Sequence, residues 1–206
     1  AVGEGFAGEL ARLNLTYDRP GDDAPASMIA KFQSQHPPTR SLLSRLGVYE
    51  REVRFYQELA PGLALGAPRS YLAAWDEERQ QSLLLLEDLS HLRAGNQLMG
   101  CGQEDAGLAV TDLARFHAKF WNSPGLADLD WAPPWDRGAE LFQTMFPVLW
   151  RRLSRSMTET LPPVMMELGE LIGPHIVAIK RRLARPPVTL AHGDFRLDNM
   201  FFDGST

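Results

Sequence analysis

Hydrophobic periodicity changes character once along this chain, and that change limits the fold more than any other feature. Up to about residue 90 the apolar residues alternate or come in short runs. From about residue 103 they recur at helical spacing. Residues 9–17, ELARLNLTY, alternate apolar and polar and predict a half-buried strand. Residues 27–32, 70–75 and 82–86 predict three more strands, the last two joined by the charged turn Asp76-Glu77-Glu78-Arg79. One helix interrupts them at residues 45–60. Tyr49, Val53, Tyr56 and Ala60 share its apolar stripe, and Pro61-Gly62 stops it.

In the second half, Ala109, Leu113, Phe116 and Phe120 line one face of a helix beginning near residue 103. Leu141, Met145, Leu149 and Leu153 are expected to line the buried face of a second. A third helical region covers roughly 163–184, broken at Gly173-Pro174. The polar stretch from Glu87-Asp88-Leu89 to Gly95-Asn96 marks the change. We therefore expect an α+β protein of two lobes. Residues 1–90 form a small, mostly antiparallel sheet lobe with one helix, and residues 91–206 a mainly helical lobe. No internal repeat and no low-complexity tract is visible.

Composition narrows the function classes. The 206 residues are 44% hydrophobic and 23% charged, as in an ordinary globular protein. A net charge of −5 argues against a nucleic-acid partner. The single cysteine, Cys101, allows no internal disulfide and no multi-cysteine zinc site. No apolar run approaches the length needed to span a bilayer, so no membrane role is expected. With no secretory leader in view, a cytoplasmic location is expected.

Residues 188–202 carry the sharpest chemical signal. Two short apolar segments, 188–191 and 199–202, are expected to be strands flanking the polar string His192-Gly193-Asp194-Phe195-Arg196-Leu197-Asp198-Asn199. Phosphoryl transfer asks little covalent chemistry of a protein. It needs a carboxylate to hold the attacking hydroxyl and take its proton, oxygen ligands for Mg²⁺, and a cation on the ATP phosphates. The protein-kinase catalytic loop supplies the first two as an Asp and an Asn five residues apart. Asp194 and Asn199 have that spacing.

Lysine is scarce here: only Lys31, Lys119 and Lys180 occur. Lys31 sits inside an apolar strand, where an unpaired ammonium is costly, so an anion should meet it. Glu52 falls inside the apolar stripe of the 45–60 helix, whereas Glu50 and Glu58 fall outside it, which makes Glu52 the expected partner. The bland readings are a lysine on a solvent face and a glutamate on a helix rim. Gly3, Gly5 and Gly8 would let backbone amides approach phosphates, although an ordinary strand turn explains them equally well. His117 is expected to be a packed core histidine. Trp121, Trp131, Trp135 and Trp150 are expected to be core rather than a cage for a cation. Arg181, Arg182 and Arg185 are expected to form a solvated helix end.

The string from His192 to Asn199 resembles the catalytic loop of the aminoglycoside phosphotransferase/choline kinase-like family, and the bacterial phosphotransferases akin to ecdysteroid kinases look closest. Tyr49-Glu50-Arg51-Glu52-Val53-Arg54-Phe55-Tyr56 is similar to that family's small-lobe helix. Leu84-Leu85-Leu86-Glu87-Asp88-Leu89 is similar to its hinge, and Leu113-Ala114-Arg115-Phe116-His117-Ala118 to its first large-lobe helix. The resemblance implies a bilobal protein-kinase-like fold and transfer of the γ-phosphate of ATP to a hydroxyl of a small molecule. It makes Asp194 the catalytic carboxylate and Asn199 a Mg²⁺ ligand. Lys31, Glu52, Gly5, Glu87 and Leu89 would serve the nucleotide, the last two through backbone groups toward adenine.

Two departures stand out. Gly193 replaces the arginine that reads a phosphorylated activation loop in many protein kinases, which favours a small-molecule acceptor. The family also carries a further Mg²⁺-binding aspartate on a strand after the loop, and the sequence ends at Asp203-Gly204-Ser205-Thr206 before such a strand. An incomplete large lobe is the expectation. Two rivals remain open: a nucleotide-binding module without catalysis, and a metal-dependent hydrolase using His192, Asp194 and Asp198.

Overall fold

The computed structural model describes residues 2–4, 8–63, 66–157 and 159–204. Gly5 lies outside them. Contacts divide the chain into two compact units, Ala1–Ala118 with Ala191–Thr206, and Lys119–Leu190.

The first unit is built on a five-stranded antiparallel sheet of strands β1 (Val2–Glu4), β2 (Gly8–Asn14), β3 (Ser27–Gln33), β4 (Ser70–Asp76) and β5 (Gln81–Glu87), in the order β1-β2-β3-β5-β4. The four strands expected from the sequence are present, and β1 adds an edge. Strand β5, QSLLLLE, has a continuous apolar run because it lies between β3 and β4. The turn before it is closed by Asp76, whose Oδ1 accepts the Arg79 N–H at 2.9 Å.

The helix expected over residues 45–60 is present from Val48 onward, and an additional helix precedes it. Helix α1 (Pro37–Arg45) starts on the Pro37-Pro38 pair, since proline suits a first helical turn. Gly47, with φ 68°, then breaks the chain direction, and α2 (Val48–Arg54) begins. A single π turn, Phe55–Leu59, continues α2 before Pro61 and Gly62 end it. Val53 of α2 is fully buried on Leu84 and Leu86 of β5, with Tyr56, Ala73 and Trp75 around them. Each such aliphatic side chain contributes about 1.5–3 kcal/mol by leaving water. This cluster fixes α2 on one sheet face.

Helix α3 (Gln103–Phe120) turns Ala109, Leu113, Phe116 and Phe120 inward, as its periodicity predicts. A short ribbon of β6 (Arg93–Ala94) and β7 (Phe201–Phe202) pairs antiparallel, Arg93 with Phe202 and Ala94 with Phe201. The segment 188–191, expected as a strand, is not one. Its first residue meets a loop instead: Val188 N–H donates to Asn122 Oδ1 at 2.9 Å, and Val188 O accepts from Asn122 N–H at 2.8 Å. With those groups satisfied by Asn122, no ladder forms there. The segment 199–202 shortens to β7, because Leu197–Asn199 coils into a tight 3₁₀ turn.

The second unit holds α4 (Ala139–Ser156), α5 (Pro163–Ile172) and α6 (Ile176–Leu183), with the expected break at Gly173-Pro174. The buried face of α4 differs from expectation. Leu141, Met145, Leu149 and Leu153 are exposed, while Ala139, Gln143, Phe146 and Trp150 face inward. Trp150 stacks on Phe146 with ring planes 5° apart, and its indole lies so close to Gly169 that any side chain there would collide. Two apolar stripes run along α4, and the rings select which one is covered. Trp121 and Trp135, expected in the core, are each 54% exposed, and the Trp135 ring lies with that of Phe142 against the Lys180 ammonium, 4.6 and 4.7 Å from the ring centres. Among the described residues no helix is long and apolar enough to cross a membrane.

Candidate functional site

Strand alternation places Lys31 opposite Leu10 on β2 and Leu84 on β5, so its side chain leaves the sheet on the face covered by α2. Glu52 precedes the buried Val53 on that helix. The two meet: Lys31 Nζ lies 2.6 Å from Glu52 Oε1. Their side chains remain 30% and 33% exposed, so the pair adds little stability, about 1 kcal/mol at most. It holds an ammonium at one point of a partly open surface. One turn beyond, burial and the negative charge of Glu52 push the Tyr56 pKa well up, so its hydroxyl stays protonated.

Glu87 ends β5. Its N–H donates to Arg69 O at 2.8 Å, and its Oε2 accepts the Arg69 N–H at 3.1 Å. Leu89 follows, with its carbonyl engaged by the Leu92 N–H at 2.9 Å. Between them Asp88 does something sequence reasoning missed. Its carboxylate accepts Ser27 Oγ–H at 2.7 Å and the Ser90 N–H at 3.0 Å, and pairs with Arg12 Nε at 2.9 Å. The Ser27 hydroxyl foremost, then Ser90 and Arg12, hold its pKa below the usual carboxylate range. Asp88 thus ties the end of β5 to β2 and β3. The only signal for it was an acid in a stretch already marked as a hinge.

The loop from His192 to Asn199 belongs to the same unit as the sheet. Gly193 takes φ 84°, a conformation that a side chain would strain. This turn lets the Asp194 N–H donate to His192 Nδ1 at 3.2 Å. Asn199 donates from Nδ2 to both Asp194 O and Asp194 Oδ2, each at 2.9 Å. Both partners are acceptors, so the amide nitrogen must face them and the carboxamide oxygen must point away. Asp194 keeps 68% of its side chain exposed. Arg196, also missed from sequence, reaches Asp194 Oδ1 and Asp198 Oδ2 at 3.4 Å each.

His192 packs edge-on to Phe195, ring centres 5.6 Å apart, and desolvation is the largest influence on it, lowering its pKa. Asp194 and Glu52 pull the other way, and Lys31 adds to the lowering. An acceptor Nδ1 requires the neutral ring. A folded-state pKa below the unfolded value means this contribution to loop order is complete above about pH 6.5 and is lost as pH falls through the lower folded value. NMR titration of the His192 ring should show a midpoint below 6.5, with the Asp194 amide shifting over the same range. A midpoint above 6.5 would remove the neutral-ring geometry.

Other expectations fare differently. Gly8 pairs with Gln33, and a side chain on it would strike the Phe32 carbonyl. Close strand packing accounts for that glycine without a phosphate. Gly3 is a residue of β1. His117 is half-buried, its ring 6.0 Å from that of Phe116, as a packed histidine would be. Among the described residues no three His, Cys, Asp or Glu side chains converge as a metal site would need.

Residues 2–121 match the model of the ecdysteroid kinase-like family. That span runs from β1 through α3 and includes Lys31, Glu52, Glu87 and Leu89. No match was found among curated proteins or solved structures. With well over half of its 206 residues aligned to that model, and with the Lys31–Glu52 pair standing in the matched part, the chain belongs to the ecdysteroid kinase-like family.

Proposed function

We propose that this chain serves ATP-dependent transfer of a phosphoryl group to a hydroxyl on a small molecule. The observation that carries the reading is the 2.6 Å Lys31–Glu52 ion pair, which stands in the part of the chain that matches the kinase-like family. Lys31, held at 2.6 Å by Glu52, would meet the phosphates as a point charge. Asp194, solvent-facing in its loop, would align the acceptor hydroxyl and take its proton. Backbone groups at Glu87 and Leu89 would border adenine.

Asn199 is placed to contribute one ligand to Mg²⁺, and by itself it would hold the ion weakly. Asn199 turns its amide hydrogens to Asp194 and its oxygen away, and the Asp194 carboxylate stands beside it. The Asn199 carboxamide oxygen would hold an ion that takes its other ligands from water and the substrate phosphates. When bound, MgATP supplies the phosphoryl group and offsets its charge. The residues of the chain orient and hold the proton. The family match supports the reaction class and leaves the acceptor open.

Calorimetry with ATP, with and without Mg²⁺, tests this. Lys31→Ala is expected to weaken MgATP binding about 10- to 100-fold, the worth of a charged hydrogen bond, without unfolding a pair that is part-exposed. Equal affinities in the variant and the native chain would withdraw Lys31 from the phosphate site. An ATP-consumption screen against hydroxylated metabolites would then identify the acceptor. The rival module without catalysis predicts binding and no turnover in that screen.

A further inference from the structure

Asp198 looks at first like a second metal ligand, being an acid one residue from Asn199. Its bonds say otherwise. Asp198 Oδ1 accepts the Gln97 N–H at 2.9 Å, and the Gln97 side chain returns the bond, its Oε1 accepting the Leu197 N–H at 3.1 Å. About a hundred residues of sequence separate the two segments. A third bond, Gly95 N–H to Met200 O at 2.9 Å, continues the contact into the β6–β7 ribbon. Gly95 is packed so closely on the Leu197 carbonyl that any side chain would displace it.

The 3₁₀ turn bearing Asn199 is thus gripped on both sides of its first residue. Arg93 anchors the other strand of the ribbon: its Nη2 is 2.7 Å from Asp105 Oδ1 of α3, and its guanidinium lies 4.9 Å from the centre of the Phe202 ring. Without the reciprocal pair, the turn would be tied only beyond Asn199, by the Gly95–Met200 bond and the β6–β7 ribbon, and the Asn199 carboxamide could swing from the direction Asp194 gives it.

We infer that Gln97 and Asp198 are positioning residues, a reciprocal side-chain-to-backbone lock that aims the Asn199 oxygen, with Asp198 acting as a strut and not as a metal ligand. The inference rests on the phosphotransfer reading for its consequence, which is metal dependence. Its geometry stands apart from that reading. A strut needs an acceptor oxygen, so asparagine at 198 and glutamate at 97 preserve it, whereas alanine at either position removes half of it.

Two measurements on the full chain decide the matter. The first is amide hydrogen exchange by NMR at Gln97 and Leu197. Gln97→Ala should speed exchange at Leu197 about tenfold, and Asp198→Ala should do so at Gln97, the size of one lost hydrogen bond. The second is calorimetry of ATP over a Mg²⁺ series. Both alanine variants should raise the Mg²⁺ needed for half-maximal binding about tenfold, with metal-free ATP affinity unchanged. Asp198→Asn and Gln97→Glu should remain within about threefold of the native chain in both measurements. An Asp198→Asn variant with intact Gln97 protection and the Mg²⁺ defect of Asp198→Ala would overturn the inference, because the charge itself would then be the ligand. So would Gln97→Ala with native Mg²⁺ dependence. If the native chain bound no MgATP at all, the proposed function would fall. Exchange would then decide the lock by itself, native rates at Leu197 in Gln97→Ala overturning it and faster rates sustaining it.

Discussion

Asp194→Asn is expected to lower the phosphotransfer rate by about 10²–10⁴, the usual contribution of a placed general base. The change keeps volume and shape. An asparagine oxygen at 194 can still accept the Asn199 Nδ2–H, so the 2.9 Å bond closing the loop survives. What disappears is the group able to take a proton from an attacking hydroxyl. The side chain is 68% exposed, so folding stability should stay within about 0.5 kcal/mol of the native chain. A coupled ADP-release assay with the acceptor found by screening measures the rate, and calorimetry should find ATP affinity nearly unchanged. Full turnover in the variant would mean that Asp194 takes no part in the chemistry. A loss of ATP affinity as large as the loss of rate would point to a binding role instead.

The largest stability effect is expected from Leu84→Ala. Leu84 is 2% exposed on the inner strand β5, and it packs with Leu86 against the fully buried Val53 of α2. Removing three carbons there leaves a gap that neither a hydrogen-bonded strand nor a helix pinned by Val53 can easily close. A loss of about 2–5 kcal/mol follows, measured as a lower urea midpoint at constant slope. The consequence reaches function because Leu84 lies opposite Lys31 in the register, and Val53 is the neighbour of Glu52. Loosening α2 on the sheet should therefore lengthen the 2.6 Å ion pair and weaken MgATP binding even under conditions where the variant is folded. A native urea midpoint would show that the sheet and helix do not depend on this contact.

The sequence implies this geometry unevenly. Strands β2 to β5 were legible because alternation and apolar runs are local properties, and so was the inward face of α3. The pairing of Lys31 with Glu52 is legible too, since a cation and an anion on two apolar surfaces have few other ways to be accommodated. The spacing from Asp194 to Asn199 was equally visible. The helix at Pro37–Arg45 is not legible because its large apolar residues, Leu42 and Leu43, are adjacent and form no stripe. The covered stripe of α4 is not legible, because Leu141-Met145-Leu149-Leu153 and Ala139-Gln143-Phe146-Trp150 are both helical stripes. Only a partner surface distinguishes them, and Gly169 against Trp150 is part of that surface.

By itself the sequence determined the residue types and spacings that phosphoryl transfer requires, the order of strands and helices, and one ion pair, because each follows from charge, periodicity or chain direction. Tertiary structure alone decided which strands are neighbours, that Asp88 ties β5 to β2 and β3, that 188–191 leaves the sheet for Asn122, and that Asp198 faces Gln97. Those outcomes depend on backbone groups finding partners up to a hundred residues away, and every backbone N–H looks the same in a sequence.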